Sequence, residues 1–239
     1  MLTIRPAAAR GTAQFDWLES YHSFSFGHYY DPVHMGFSVL RVINEDRIAP
    51  GKGFGMHSHR DMEIITYMLA GALEHKDSLG NGSIIQRGDV QRMSAGTGIL
   101  HSEFNPSSAE ASHLLQIWIL PNRTGLPPSY EERHFEASGK QGQWQLIAAP
   151  TGGDRALTIH QDVMLFATLL EPQQSLPYTF GSDRRGWLQV AAGTVRVNGV
   201  ELNTGDGLAI AEEAQLLTEG ITAAEVLLFD LPATPTPQP

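Results

Sequence analysis

At 239 residues, 41% of them apolar and 18% charged, the chain is long enough to bury a sizeable core as one large or two smaller domains. Its 16 basic residues against 26 acidic ones leave a formal net charge of −10, which opposes contact with nucleic acid or anionic membrane, and no basic run reverses it. The absence of cysteine excludes disulfides and thiolate metal sites; with no apolar stretch of signal-peptide or membrane-span length a cytoplasmic location is the expectation, and the acidic surface, which gives no sign of self-association, makes a monomer the default.

In chain order, a short helix is expected near Asp16–Tyr21, then strands at Phe37–Ile43 and Glu63–Leu69. Strands near Ala72–His75 and Ser83–Gln86 flank a hairpin loop, Ser78-Leu79-Gly80-Asn81-Gly82, and Arg87-Gly88-Asp89 makes the next corner, with no adhesion role. A strand at Leu114–Leu120 and a short helix near Pro128–His134 follow. Further on lie strands at Leu188–Val190, Thr194–Val197 and Glu225–Phe229. Val197-Asn198-Gly199-Val200 reads as a type I′ hairpin, because Asn-Gly tolerates the positive φ that turn needs, and Thr204-Gly205-Asp206-Gly207 makes a second corner. Many short strands between turn signals predict an all-β sandwich or barrel. A hairpin followed by a Gly-Asp corner occurs once in each half, which predicts an internal duplication. The expected division is a first domain over 1–135, a second over 143–232, and a disordered tail over 233–239, where Pro alternates with polar residues.

The sharpest chemical signal is Gly55-Met56-His57-Ser58-His59. Residues i and i+2 of a strand share a face, so His57 and His59 can converge on one ion, and the glycines before them let the backbone bend towards it. About forty residues on, His101-Ser102-Glu103 repeats the spacing with an imidazole and a carboxylate. Two converging pairs in one predicted barrel point to a metal site. His22, His28, His34, His75, His113, His134 and His160 have no convergent partner at ligand spacing and read as hydrogen-bonded or exposed. Met56 and Met93 read as core filling. Phe24, Phe26, Phe54 and Trp118 fit either the core or a cavity mouth, and strand parity does not choose between them.

Gly51-x5-His57-x-His59-x3-Glu63 resembles the first cupin motif, and Gly88-Asp89 through His101 resembles the second. Two departures from the general pattern, Ser94 where proline is usual and a longer gap before His101, are similar to the pirin family. That resemblance implies a bicupin: two tandem cupin (jelly-roll) barrels with one metal ion in the first, held by His57, His59, His101 and Glu103. Glu63 is the competing carboxylate, since the general cupin motif puts its ligand there. No histidine follows Gly205-Asp206, so the second barrel is expected to be structural and empty of metal.

Three neutral imidazoles and one carboxylate around a divalent ion leave a formal charge of +1, with open positions on an octahedral ion. Iron(II) is the expected ion; copper, nickel, manganese and zinc accept the same ligands. Such a centre suits the deprotonated hydroxyl of an electron-rich aromatic ring and dioxygen, with Glu103 also acting as base. The resemblance implies a quercetin 2,3-dioxygenase, opening the central ring of a flavonol and releasing carbon monoxide. The alternative it implies is a non-catalytic, redox-sensing metal protein that acts through protein partners.

Overall fold

The structure, a computed structural model, describes residues 1–233. The tail expected beyond the second domain lies, from 234 onwards, outside the described residues; Ala233 itself donates a backbone hydrogen bond to Asp183.

The short β-rich runs assemble into two seven-stranded and two four-stranded sheets. In the first half, the large sheet runs in the order Ser129–His134, Asp89–Ser94, Glu63–Ala70, Ser112–Ile119, Leu40–Ile48, Leu18–His22, Gly11–Phe15. Its small sheet runs Gly53–His59, Ile99–Phe104, Ala72–Asp77, Gly82–Gln86. The second half repeats this plan, its large sheet centred on Arg184–Ala192 and Ala224–Pro232 and its small one on Gln215–Gly220 and Thr194–Val197. The tandem-barrel expectation is therefore met. Asn198 (φ 47°) and Gly199 (φ 86°) both take the positive φ that the type I′ turn requires.

Strand parity explains how one sheet serves two cores. Along Ser112–Ile119, Leu115, Ile117 and Ile119 face the second barrel, where they join Ile147, Leu165 and Phe229 in one continuous apolar cluster. The alternate residues of that strand turn inwards: Leu114 packs with Leu18, Ile48 and Met68, and Trp118 packs against Ile64 and Met93. Between those two apolar ends, the first barrel carries a polar belt that includes Ser20, Asn44, Asp46, Thr66 and Gln116, every one buried. In the second barrel, by contrast, Leu188, Val190, Val195, Leu202, Leu208 and Val226 form an apolar filling.

Polar clasps tie the halves together. Tyr67 donates to Glu225 (2.6 Å), Arg87 pairs with the same carboxylate (2.8 Å), and Lys140 donates to Tyr67 (3.1 Å). Arg87 thus does more than turn a corner. The segment Leu2–Arg5, expected in the first domain, pairs antiparallel with Gly207–Ile210 and so extends the large sheet of the second half.

The two helices expected from the sequence are strands. Leu18–His22 alternates buried Leu18, Ser20 and His22 with half-buried Glu19 and Tyr21, a period of two, and pairs with Leu40–Ile48. Ser129–His134 pairs along its whole length with Asp89–Ser94. Helix among the described residues is limited to single turns at Ala7–Ala9 and Ala137–Lys140.

Candidate metal centre

Three adjacent strands of the small sheet each present an i, i+2 pair to the barrel interior. Ile99–Phe104 lies in the middle, with His101 opposite His57 on one side and opposite Asp77 on the other. Glu103 lies opposite Phe54 and His75, because the register shifts between His101 and Glu103 on the Gly53–His59 side. This bulge lets two residues of one strand oppose one of the other and re-aims the side chains beside it. Gly53 permits the close approach: a Cβ there would lie 2.1 Å from the Glu103 carbonyl oxygen.

The donor atoms of His57, His59 and His101 lie within 4.8 Å of one another, and those of His75, His101 and Glu103 form a second, overlapping group. His101 is common to both and is buried, yet neither of its ring nitrogens has a hydrogen-bond partner. Leaving a buried imidazole nitrogen unpaired costs about 1–3 kcal/mol, so a cation fits what these residues offer. His57 Nδ1 is 2.8 Å from the Gly55 carbonyl, which fixes the proton on Nδ1 and turns Nε2 to the cluster. Burial, and then the neighbouring His57, push His59 down to about 4. Burial, followed by His57, His59 and His75, pushes His101 down to about 2. Both are therefore neutral at physiological pH, the state in which imidazole binds metal.

Glu103 is held by Gln116, whose amide reaches its carboxylate oxygens at 3.2 and 3.0 Å, and by Thr66 at 3.4 Å. Burial raises its pKa, while these hydrogen bonds and the nearby imidazoles oppose the rise. Glu63, the competing carboxylate, points elsewhere: it accepts from the backbone amide of His160 (3.1 Å) and meets that residue's Nδ1 (3.2 Å) at the seam between the barrels.

Reading His75 as a residue without convergent partners missed its place. It is fully buried and points at the cluster, its ring 5.4 Å from that of His101. Both of its nitrogens are already engaged, Nε2 with Asp77 (3.1 Å) and Nδ1 with the Gln91 amide (3.2 Å), which sets it apart from His101, whose nitrogens have no partner. The signal that could have found it is the spacing itself, since His75-Lys76-Asp77 is a third i, i+2 pair. His160 and His113 are also partnered, with Glu63 and Glu45 respectively. Met93 is fully buried, as expected of core filling, whereas Met56 is exposed on the outer face of its strand.

A cavity of about 360 Å³ opens beside the cluster, with His57, His59 and Glu103 at one side. That volume lies in the few-hundred-Å³ range of small-molecule sites. Phe26, Phe54 and Trp118 line it, while Phe24 is core, packed 4.8 Å from Trp187 of the second barrel. No helix among the described residues is long and apolar enough to cross a membrane.

Residues 4–119 match the Pirin family, and residues 146–231 match the quercetinase C-terminal cupin domain. The chain is 51% identical, over 97% of its length and 99% of the relative, to a quercetin 2,3-dioxygenase of Escherichia coli strain K12. It is 42% identical, over 96% of its length and 99% of the relative, to a pirin-like protein of Caulobacter vibrioides. A crystal structure of the bacterial pirin YhhW in complex with nickel(II), from Escherichia coli, superposes with a TM-score of 0.93 at 49% identity, covering 97% of this chain and 99% of that one. With two barrels in tandem, a histidine cluster in the first, and full-length likeness at this level, the chain belongs to the pirin family of bicupins.

Proposed function

We propose that the protein is a metal-dependent quercetin 2,3-dioxygenase, which opens the central ring of a flavonol with dioxygen and releases carbon monoxide. The observation that carries this reading is the histidine cluster at the wall of an aromatic-lined cavity, in a chain 51% identical over nearly its full length to a quercetin 2,3-dioxygenase. The proposed ligands are His57, His59, His101 and Glu103, all in the first of two domains, 1–135 and 143–232. Iron(II) is the proposed resident ion, from the histidine-and-carboxylate donor set, and nickel(II), which the related pirin YhhW holds in its crystal structure, fits the same donors.

Bound there, a divalent transition ion would supply Lewis acidity towards a substrate hydroxyl and electronic coupling to dioxygen. The chain's own residues do the rest. His57, locked by its bond to Gly55, and the neutral His59 and His101 bring donor nitrogens within 4.8 Å of one another. Gln116 and Thr66 aim the Glu103 carboxylate, which burial makes a better proton acceptor than an exposed one, so it can take the hydroxyl proton of the flavonol. The Phe26, Phe54 and Trp118 rings pack against a planar substrate and exclude water from it.

Aerobic incubation of iron-, nickel- or copper-loaded protein with quercetin, following its visible band and assaying carbon monoxide, tests the proposal. Loss of the band with stoichiometric carbon monoxide is expected. A shifted band that persists, with no carbon monoxide from any of the three metal forms, would overturn it.

A further inference from the structure

On the wall formed by Leu18–His22 and Leu40–Ile48, the cavity carries four buried polar side chains that the chemistry above does not use: Ser20, His22, Asn44 and Asp46. Ser20 lies opposite Asp46 and His22 opposite Asn44 in the antiparallel register, so strand parity places all four on one face. With Asp46 ionised, the single proton of Ser20 goes to Asp46 Oδ1, and the Ser20 oxygen is left to accept from His22 Nε2 at 2.9 Å. That assigns the imidazole proton to Nε2 and leaves Nδ1 as an acceptor. Neither His22 Nδ1 nor Asn44 Oδ1 has a hydrogen-bond partner, although both atoms are buried. Burial, and then the charges of Glu103 and Glu45, push the Asp46 carboxyl up to about 7 in spite of the Ser20 hydrogen bond, so the ionised form that sets this tautomer dominates above neutral pH. With Asp46 ionised, three acceptors share one wall, and His22 Nδ1 and Asn44 Oδ1 are orphaned.

An aromatic wall links this cluster to the metal site. His22 meets Phe26 edge-on at 5.3 Å, Phe26 meets Trp118 at 5.2 Å, and Trp118 meets His59 at 4.9 Å. Two rings therefore separate His22 from the proposed ligand His59, while Asn44 lies opposite Gln116, which holds Glu103, so the cluster extends from beside the proposed carboxylate ligand towards His22.

We propose that His22, Asn44 and Asp46, with Ser20 orienting His22 and Asp46, form a second recognition pole that accepts hydrogen bonds from phenolic hydroxyl groups of the substrate other than the one that reacts. The pole rests on the flavonol reading and narrows it: the substrate class is a polyhydroxylated aromatic, and ring systems without such further hydroxyls are poor ligands. Buried acceptors left unpaired by such an analogue penalise its binding, so discrimination comes from the site's own polar groups as much as from the substrate's.

The test compares quercetin with the flavonol that keeps the reacting hydroxyl and lacks all the others. KM for wild type, Asn44→Leu and His22→Phe is measured with both compounds, together with metal content and circular dichroism. Wild type should favour quercetin by about tenfold or more, and each variant should move the ratio of the two KM values towards one. Metal content and the circular dichroism spectrum should match wild type, and an intact site in a misfolded barrel would not give that ratio change. A ratio that stays at the wild-type value in both variants, or a wild type that does not distinguish the two compounds, would overturn the pole. Equilibrium binding of the same two compounds under nitrogen, read by quenching of tryptophan fluorescence, separates this inference from the parent reading. If wild type turns over neither compound, the dioxygenase reading fails, and hydroxyl-dependent binding that His22→Phe and Asn44→Leu weaken still supports the pole. Binding of neither compound would sink both.

Discussion

Replacing His101 by leucine separates a residue kept for metal from one kept for stability. In the metal-free protein the imidazole is buried with both nitrogens unpartnered. Each unpaired nitrogen costs about 1–3 kcal/mol, and leucine fills a similar volume with no polar atom, so the metal-free variant should match or exceed wild type by about 1–2 kcal/mol. Metal reverses the order. Free metal at a hundred times its Kd stabilises the native protein by about 2.7 kcal/mol, and at about 2–4 °C per kcal/mol for a chain of this size the wild-type Tm should rise by about 5–10 °C. The variant, lacking a central ligand, should show little of that rise. Scanning calorimetry of both proteins, after chelation and after loading with nickel(II), reads the four values. Metal-free His101→Leu that is several kcal/mol less stable than wild type would refute the reasoning, because it would mean the imidazole has good partners. So would a full metal-induced rise in the variant.

Glu103→Gln should remove most of the bound metal and Glu63→Gln should keep it, because Glu63 is committed to His160; elemental analysis of the two purified variants checks this, with equal loading the contrary result. Glu225→Ala leaves Arg87, Lys140 and Tyr67 without their shared carboxylate, so urea unfolding should show a loss of about 3–5 kcal/mol. Burial tends to raise the Glu45 carboxyl, but hydrogen bonds from His113 and Arg10 outweigh it and hold the group at about 2. A depressed carboxyl contributes stability above its unfolded pKa of about 4.5 that disappears as pH falls towards 2. Glu45→Gln should therefore cost roughly 2 kcal/mol at pH 7, after allowance for screening, and close to nothing at pH 2. Gly53→Ala should lower metal affinity and Tm together, since its methyl group would push the strand bearing His57 and His59 away from the one bearing His101 and Glu103; an unchanged metal titration would contradict this.

How far the molecule was legible in its sequence followed from which interactions are local. Turns were readable because positive φ at Asn198, Gly199, Gly88 and Gly205 is a property of single residues. The proposed ligand pairs were readable because strand parity is a local rule, and two pairs at that spacing reinforce each other. His75 obeys the same rule through Asp77, but only the pairing of its strand beside Ile99–Phe104 shows that it faces the cluster. Glu63 sits where a general cupin motif has its ligand, and its commitment to His160, 97 residues away, cannot be read from either segment alone. The helices expected at Asp16–Tyr21 and Pro128–His134 failed for a related reason. Short polar segments carry weak periodicity, and tertiary pairing to Leu40–Ile48 and Asp89–Ser94 decides them. The exchange of Leu2–Arg5 into the second sheet is likewise a matter of tertiary pairing across the whole chain.

Anomalous diffraction from a crystal of the protein loaded with nickel(II) is the most direct measurement of the central claim. It should give one strong peak in the first barrel, coordinated by His57, His59, His101 and Glu103, with His75 still bound to Asp77 and Gln91. A peak coordinated by His75 in place of His57 and His59, by Glu63, or lying in the second barrel would contradict the account.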